Sequence, residues 1–259
     1  MKDYFYNKWL DVKTLWRYYT NKTVEYNKDL EELTKLKLDS KEFTFNEDGH
    51  TWGKYHPDNL NQYWSKSFVK QIYNGDNKNY TYKLNTMFNP KVFNGVSIPY
   101  GTGVIVSNEK FMYGYFTCNI EFSNARRLWP AFWLYNGDES YSEIDIVEAY
   151  SNNGNYDKGK KLQPNLHYKL KGNNSVNTGS KDCPLPVRYL LNHKIRFSLS
   201  WNRDYIKWFY NGYLVKIITD KGILNKMNPM MLVLNSAVQD NSDYYGLTET
   251  IFSNIKIYQ

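Results

Sequence analysis

The sequence predicts an all-β fold, a sandwich of two sheets, with a short helical N-terminal extension. From Lys41 onward, short apolar runs alternate with turn residues such as Asn74-Gly75 and Asn94-Gly95, and no long helical period interrupts them. Near the C-terminus, two strand-like runs flank Asn211-Gly212, a strong signal for a type I′ hairpin. Short strands at regular intervals are typical of a β-sandwich.

The N-terminal region has a different pattern. Apolar residues recur at helical spacing in two stretches, at Tyr6, Trp9, Leu10, Leu15 and Trp16 and again at Leu30, Leu33 and Leu36 or Leu38. We therefore predict a helical extension over residues 1–40 and a single β-sandwich domain over residues 41–259. We assign the extension no chemistry, and it either packs on the domain or docks a partner.

The strands are predicted from apolar runs and from alternation. Early strands are expected at Phe43 to Phe45, Ser67 to Tyr73 and Asn79 to Leu84, with Pro90 and Pro99 between strands. Inward-facing positions are expected at Phe116, Cys118, Ile120 and Phe122, and at Ile195, Phe197, Leu199 and Trp201. Residues 151–163 and 171–186 are rich in Asn, Gly, Ser, Lys and Pro and are predicted to be loops.

The aromatic content and the net charge of the chain indicate which classes of ligand it could bind. Aromatic residues make up 18% of the 259 residues, with 25 Tyr and 8 Trp, which favours a surface that stacks on sugar rings or on single-stranded nucleic acid. The net charge of +7 is spread along the chain without an Arg-rich block and favours anionic partners only weakly. No nucleic-acid-binding motif is present, so we expect no nucleic acid partner.

Cys118 and Cys183 are compatible with one disulfide or two buried thiols.

We expect no export signal in this chain. Residues 1–6 lack an apolar core with a small-residue cleavage site, and no apolar run is long enough to span a membrane. We therefore expect no membrane partner.

Three carboxylates are concentrated in the stretch Ser142 to Tyr150. Its β-branched content predicts a strand, in which Glu143 and Asp145 share a face, whereas Glu148 would point to the opposite face. One extra residue at Ile146 or Val147 would shift the parity and align all three acids. We therefore predict a β-bulge at this position.

Aligned acids repel each other and raise each other's pKa, which is unfavourable for folding. Two carboxylates whose pKa values are pushed apart are, however, what cleavage of a glycosidic bond requires. The alternatives are a solvated acidic edge strand or a calcium site. The aromatic run Trp129 to Tyr135 argues against an edge strand, because it is too apolar to face solvent on both sides.

The segment Glu143 to Glu148 resembles the bulged E-x-D-x-x-E signature of glycoside hydrolase family 16, and Trp129 to Leu134 resembles the W-P-A-F-W-L segment that precedes it in that family. The resemblance implies a concanavalin A-like β-jelly-roll sandwich and a retaining endo-β-glycanase that acts on a polysaccharide. It implies that Glu143 is the nucleophile, Glu148 the acid/base and Asp145 the residue that tunes the pair. A retaining enzyme requires the two glutamate carboxyls about 5–5.5 Å apart.

The resemblance also suggests substrate contacts. Trp129, Trp133 and Tyr135 are expected to stack on pyranose rings, unless one tryptophan belongs to the core. His167 is expected to donate to or accept from the sugar in the leaving-group site. Arg127, with Arg126, lies beside Trp129 in the sequence and would meet an acidic or sulfated sugar, unless both are solvated loop residues.

The resemblance implies that the reaction needs no metal or other cofactor, although such folds often carry a structural Ca²⁺. β-1,3-Glucan is the favoured substrate, and a sulfated or agar-type galactan is the alternative. A transglycosylase and a non-catalytic carbohydrate-binding protein on the same fold also stay open. An enzyme that cleaves a polymer is expected to act outside the cell or on a larger particle.

Overall fold

The computed structural model describes residues 2–20, 43–45, 62–75, 79–93, 95–122, 128–137, 140–151, 160–170, 176–177, 194–238 and 247–259. The helices are α1 (Lys2–Tyr19) and α2 (Lys221–Leu224), and a 3₁₀ turn covers Lys66–Phe68. The strands are β1 (Phe43–Phe45), β2 (Gln62–Trp64), β3 (Val69–Asn74), β4 (Asn79–Phe93), β5 (Val96–Thr102), β6 (Val104–Phe111), β7 (Gly114–Glu121), β8 (Leu128–Tyr135), β9 (Ser142–Ser151), β10 (Lys160–Tyr168), β11 (Val176–Asn177), β12 (Ile195–Trp201), β13 (Ile206–Tyr210), β14 (Tyr213–Ile218), β15 (Met230–Val238) and β16 (Leu247–Tyr258).

The strands form two sheets. The seven-stranded sheet has the order β1-β6-β15-β8-β9-β10-β11, and the nine-stranded sheet has the order β14-β13-β12-β7-β16-β4-β5-β2, with β3 paired to β4. Among the described strands, β2 and β5 pair in parallel and the other pairs are antiparallel. The predicted all-β sandwich with an N-terminal helix is confirmed.

The main core lies between the two sheets. Phe116, Cys118, Ile120 and Phe122 of β7 and Ile195, Phe197, Leu199 and Trp201 of β12 are all buried in it, as the alternation predicts. The seven-stranded sheet contributes Phe132, Leu134 and Ile144 to the same core. Because each strand gives one face to this core, its alternate residues form the outer faces of the sandwich.

The hairpin predicted at Asn211-Gly212 is also confirmed. β13 and β14 pair in antiparallel register across these two residues, beginning with Tyr210 opposite Tyr213. Asn211 has φ +48° and Gly212 has φ +82°, and a type I′ turn requires a positive φ at both central positions.

Strand β4 is longer than predicted. The sequence places a strand at residues 79–84 with Pro90 beyond its end, but β4 runs through Pro90 to Phe93. The register with β5 shifts between Phe88 and Lys91, so that Pro90 lies at an irregularity where a backbone donor is not needed.

The loop prediction for residues 151–163 is wrong in its last part. Residues 160–163 begin β10, in which Lys161 pairs with Tyr150 and Leu162 with Ala149. Leu162 is fully buried in the main core, which explains why this polar stretch becomes a strand. Within residues 171–186, Val176–Asn177 form the short strand β11.

Helix α1 packs along β14, the last strand of the nine-stranded sheet. The side chain of Asn7 donates to the carbonyl of Ile217 (2.9 Å) and accepts from its amide (3.1 Å), and Thr14 Oγ1 donates to the carbonyl of Leu214 (2.6 Å). These contacts satisfy backbone groups that an open sheet edge would expose. No helix in the described part of the chain combines the length and the apolar character needed to cross a membrane.

The second predicted helical stretch, residues 27–38, lies outside the described residues, so the boundary at residue 40 stays a prediction. Cys183 also lies outside them. Cys118 is a free, buried cysteine whose Sγ donates to the carbonyls of Asn119 (3.4 Å) and Ser253 (3.6 Å). Burial raises the pKa of this thiol well above its ordinary value, which keeps it protonated.

We expect Asn7→Ala to lower the free energy of unfolding by about 1–2 kcal/mol, because the amide and carbonyl of Ile217 lose their partner on a partly buried edge. Urea denaturation measures this change. Val12→Ala is the control, because Val12 is 70% exposed on α1, and its effect should stay within about 0.5 kcal/mol. Equal effects of the two substitutions would contradict a role for Asn7 in covering the edge.

Candidate active site

Between Asp145 and Glu148, strand β9 contains one residue more than the matching stretches of the two neighbouring strands. Against β8, Asp145 lies opposite Trp133 and Val147 lies opposite Phe132, so that Ile146 has no partner. Against β10, the register shifts at the same place, between Gln163 and Asn165. The bulge that the sequence predicts at Ile146 or Val147 is therefore present, and the unpaired residue is Ile146.

The bulge aligns the three acids. Ile146 and Val147 are adjacent, yet both are buried in the core between the sheets, so the alternation shifts by one residue after them. Glu148 consequently returns to the face that carries Glu143 and Asp145. The acids are largely shielded from water, since Asp145 is 2% and Glu148 is 8% exposed and the side chain of Glu143 is 15% exposed.

Aromatic residues of β8 form the floor beside these acids. β8 pairs with β15 without a register shift, so Trp129, Ala131, Trp133 and Tyr135 share one face. This face belongs to a second apolar cluster on the outer side of the seven-stranded sheet, so neither tryptophan belongs to the core between the sheets. Trp133 and Tyr135 pack with ring centroids 5.2 Å apart and are only 7% and 4% exposed, whereas Trp129 is partly exposed.

Both tryptophans also donate hydrogen bonds. Trp129 Nε1 donates to Glu148 Oε1 at 3.1 Å, and Trp133 Nε1 donates to Asn235 Oδ1 at 2.7 Å. Trp129 therefore orients the carboxyl of Glu148, one of the three acids. Asn235 of β15 is 4% exposed and fixes the ring of Trp133. The sequence analysis assigned Asn235 no role, because its partner is 102 residues away and no local pattern indicates the contact.

His167 lies opposite Glu143 in the register of β9 and β10. Its Nε2 is 3.5 Å from Asp145 Oδ2 and 3.8 Å from Glu143 Oε1. The contact of His167 with the leaving-group sugar stays a prediction, and the register places this residue next to Glu143 rather than Glu148.

Asn165 is a further residue that the sequence analysis missed. Its Oδ1 accepts from the amide of Leu166 (2.9 Å), which fixes the amide orientation, so that Nδ2 faces His167 Nε2 at 2.8 Å. Nε2 then accepts, and the hydrogen-bond pattern assigns the proton of the neutral imidazole to Nδ1. Asn165 is 3% exposed and therefore holds His167 in one orientation and tautomer.

The acids influence one another electrically. Burial, followed by the negative charges of Asp145 and Glu148, raises the pKa of Glu143 well above its usual range. Oδ2 of Asp145 makes no hydrogen bond to any described residue. The arrangement therefore disfavours simultaneous ionisation of all three acids.

Three of these residues also have the spacing of metal ligands. Ligand atoms of Glu143, Asp145 and His167 lie within 4.8 Å of one another in the described part of the chain. A metal at this point would have to replace Asn165 at His167 Nε2, which already accepts a hydrogen bond.

Arg127 and its neighbour Arg126 lie outside the described residues.

Similar folds occur among solved polysaccharide-degrading enzymes. The catalytic domain of an endo-1,3-β-glucanase (laminarinase) from Thermotoga petrophila superposes with a TM-score of 0.64 at 17% identity, covering 88% of this chain and 95% of that one. LamAcat from Zobellia galactanivorans gives 0.63 at 18% identity, with 88% and 95% covered. The κ-carrageenase from Pseudoalteromonas carrageenovora gives 0.63 at 16% identity, with 88% and 91% covered. These likenesses show the shared jelly-roll sandwich.

The sequence comparisons agree with the fold. The clotting factor G alpha subunit of Tachypleus tridentatus is 21% identical over 170 residues, or 59% of this chain, and the chain spans about a quarter (24%) of the length of that relative. A model of the family described as glycosyl hydrolases family 16 matches residues 18–244. Because this match covers most of the chain and includes all three acids, the chain belongs to family 16 of the glycosyl hydrolases.

Proposed function

We propose that the protein is a retaining endo-β-glycanase that hydrolyses β-1,3-glucan. The observation that carries this proposal is the bulge at Ile146, which brings Glu143 and Glu148 onto one face with Asp145 between them. A pair of carboxyls beside an aromatic floor provides a nucleophile and a proton donor on one side of a bound sugar. A non-catalytic carbohydrate-binding protein would gain nothing from burying three mutually repelling acids.

In the first step, Glu143 attacks the anomeric carbon and the bond from this carbon to the leaving oxygen breaks. Glu148 donates its proton to the leaving oxygen, which departs as a sugar hydroxyl. Trp129 donates to Oε1 of Glu148, so the proton is held on Oε2. The step starts from the form in which Glu143 is ionised and Glu148 is protonated; because burial and the charges of Asp145 and Glu148 raise the pKa of Glu143, Glu143 must give up its proton before it attacks.

In the second step, water attacks the glycosyl ester of Glu143. Ester formation has removed one negative charge from the cluster, so ionised Glu148 now accepts a proton from the water. The water oxygen bonds to the anomeric carbon, and Glu143 leaves as a carboxylate. Two displacements at one carbon retain its configuration.

Asp145 and His167 support both steps. Asp145 adds a buried negative charge next to Glu143, which raises the pKa of Glu143 and disfavours ionisation of a second group in the cluster. His167, held by Asn165, lies near the oxygens of Glu143 and Asp145. In this arrangement Asn165 and His167 position the nucleophile, and no metal is needed for either step.

The choice of β-1,3-glucan is supported by the fold shared with laminarinases. A sulfated galactan is the second candidate, favoured by the net charge of +7 and by the fold shared with a κ-carrageenase. Either polymer is too large to enter a cell, so we propose that the enzyme acts outside cells or on a particle surface.

Release of reducing ends from laminarin, lichenan, agarose, carrageenan and porphyran tests the substrate directly. We expect the highest kcat/KM on laminarin, and the first product detected by NMR should keep the β configuration. Inversion of the anomeric centre would overturn the retaining mechanism. Cleavage of carrageenan or porphyran alone would overturn the glucan assignment, and products longer than the substrate would indicate transglycosylation.

We expect Glu148→Gln to lower kcat by about 10²–10⁴-fold, the usual contribution of general acid–base catalysis. Glu143→Gln should abolish turnover and keep binding of laminarin oligosaccharides, measured by calorimetry. The control is Glu249→Gln, which removes a carboxylate from β16, where it pairs with Lys83 at 2.7 Å on the other sheet. Full activity of the Glu143 variant would contradict the assigned nucleophile.

The raised pKa of Glu143 has a consequence for stability. A carboxyl with a raised pKa in the folded state contributes stability that is complete below its unfolded pKa, near 4.5, and that is lost as the pH rises through the folded pKa. Glu143→Gln replaces the carboxyl by an amide that does not titrate, so the variant does not lose this stability as the pH rises. Its Tm should exceed that of the wild type at pH 7, by about 2–4 °C for each kcal/mol recovered, and should approach the wild-type value near pH 4.

Calorimetric melting at several pH values measures this difference, with Glu249→Gln as the reference. The reference variant should show no gain at pH 7, because Glu249 is partly exposed and paired with a lysine. A Tm difference for Glu143→Gln that does not change with pH would contradict the proposed repulsion among the three acids.

A further inference from the structure

Three side chains of the nine-stranded sheet cross the core and donate to backbone carbonyls at the bulge. Trp208 Nε1 donates to the carbonyl of Asp145 at 2.8 Å, and Tyr210 Oη donates to the carbonyl of Ile146 at 3.0 Å. Both donors belong to β13 and are fully buried. They therefore contact Ile146, the extra residue of the bulge, and Asp145, the residue directly before it.

The third donor is Lys216 of β14. Its Nζ donates to the carbonyl of Pro164 at 3.2 Å, and Pro164 is the residue of β10 at which the register with β9 shifts. Lys216 is only 4% exposed and its ammonium lies 5.1 Å from the centre of the Trp208 ring. The side chain faces inward because β14 has its own irregularity, a register shift against β13 between Trp208 and Phe209.

Carbonyls in a regular strand point along the sheet towards the neighbouring strands. Carbonyls that accept from the opposite sheet must tilt out of the sheet plane towards the core. The bulge allows this tilt because it interrupts the ladder, and Pro164 adds no backbone donor there. The donors from β13 and β14 thus provide hydrogen-bond partners for buried carbonyls at a point where the backbone ladder is interrupted.

We propose that Trp208, Tyr210 and Lys216 form a clamp that fixes the bulge and thereby positions Glu148 relative to Glu143. All three bond to backbone carbonyls from the core side of the sheet, whereas the acid side chains lie on its other face, so they are positioning residues. The clamp also opposes an alternative register in which β9 loses its extra residue, because that slip would turn Glu148 away from Glu143. This inference rests on the proposed glycanase function for its kinetic readout.

The test uses two substitutions that remove a donor and keep an aromatic ring, Tyr210→Phe and Trp208→Phe. Each has a matched control in the described core. Tyr82→Phe removes a buried hydroxyl that bonds to Gln71 (3.0 Å), far from the bulge, and Trp201→Phe shrinks a buried tryptophan whose Nε1 makes no hydrogen bond to a described residue. The measurements are kcat, KM and the pH profile of kcat/KM on laminarin.

We expect Tyr210→Phe and Trp208→Phe to lower kcat on the order of 10–100-fold, because a displacement of about 1 Å in a catalytic group can cost about 10²-fold. KM should change much less, and the acidic limb of the pH profile should move, because the spacing of the coupled glutamates changes. Tyr82→Phe and Trp201→Phe should keep kcat and the pH profile, even where their Tm falls. Equal kinetic behaviour of the variants and their controls would overturn the clamp and leave only a packing role.

Amide hydrogen exchange separates the clamp from the proposed function. Peptides covering residues 143–149 should exchange faster in Tyr210→Phe and Trp208→Phe than in the two controls, whether or not the wild type cleaves laminarin. If the wild type cleaves no polymer and the exchange difference is present, the proposed function fails and the clamp stands. If the exchange difference is absent, the clamp fails.

Discussion

The single extra residue in β9 determines the chemistry of this protein. A strand alternates its side chains between two faces, and Glu143 and Glu148 are an odd number of residues apart, so a regular strand would separate them. At the bulge, Ile146 and Val147 both enter the core, which reverses the alternation for the rest of the strand. The same event that buries two aliphatic side chains therefore brings two carboxyls together on the opposite face.

This arrangement is unfavourable for folding, because burial and mutual repulsion both oppose ionisation of the acids. The surrounding residues reduce the cost without neutralising the charges. Trp129 donates to Glu148, and Asn165 holds His167 beside Asp145 and Glu143. Trp129, a neutral donor, orients the carboxyl of Glu148 and still allows it to gain or lose a proton, whereas a buried lysine or arginine next to the acids would keep both glutamates ionised. The raised pKa of Glu143 is the expected result of this choice.

The features that could be predicted from the sequence are those encoded locally. The spacing of Glu143, Asp145 and Glu148 between aliphatic residues specifies the bulge, and Asn211-Gly212 specifies its hairpin. The partners Asn235 and Trp208 could not be predicted, because alternation shows which face a residue occupies but not which distant residue meets it. The end of β4 was predicted wrongly from Pro90 for a similar reason, since only the pairing of β4 with β5 shows that the strand is irregular at this residue.

The two irregular strands depend on each other through the core. At the bulge, the register of β9 shifts against both neighbouring strands. Backbone N–H groups within the sheet therefore no longer line up with the carbonyls of the bulge, and the donors to these carbonyls come from the opposite sheet. Those donors lie on β13 and β14, whose register is set by the turn at Asn211-Gly212 and by the shift between Trp208 and Phe209. A local turn signal about 60 residues beyond the acids thus determines where Trp208, Tyr210 and Lys216 meet the strand that carries them. The catalytic face is consequently shaped from the interior of the sandwich as well as from the side on which a substrate binds.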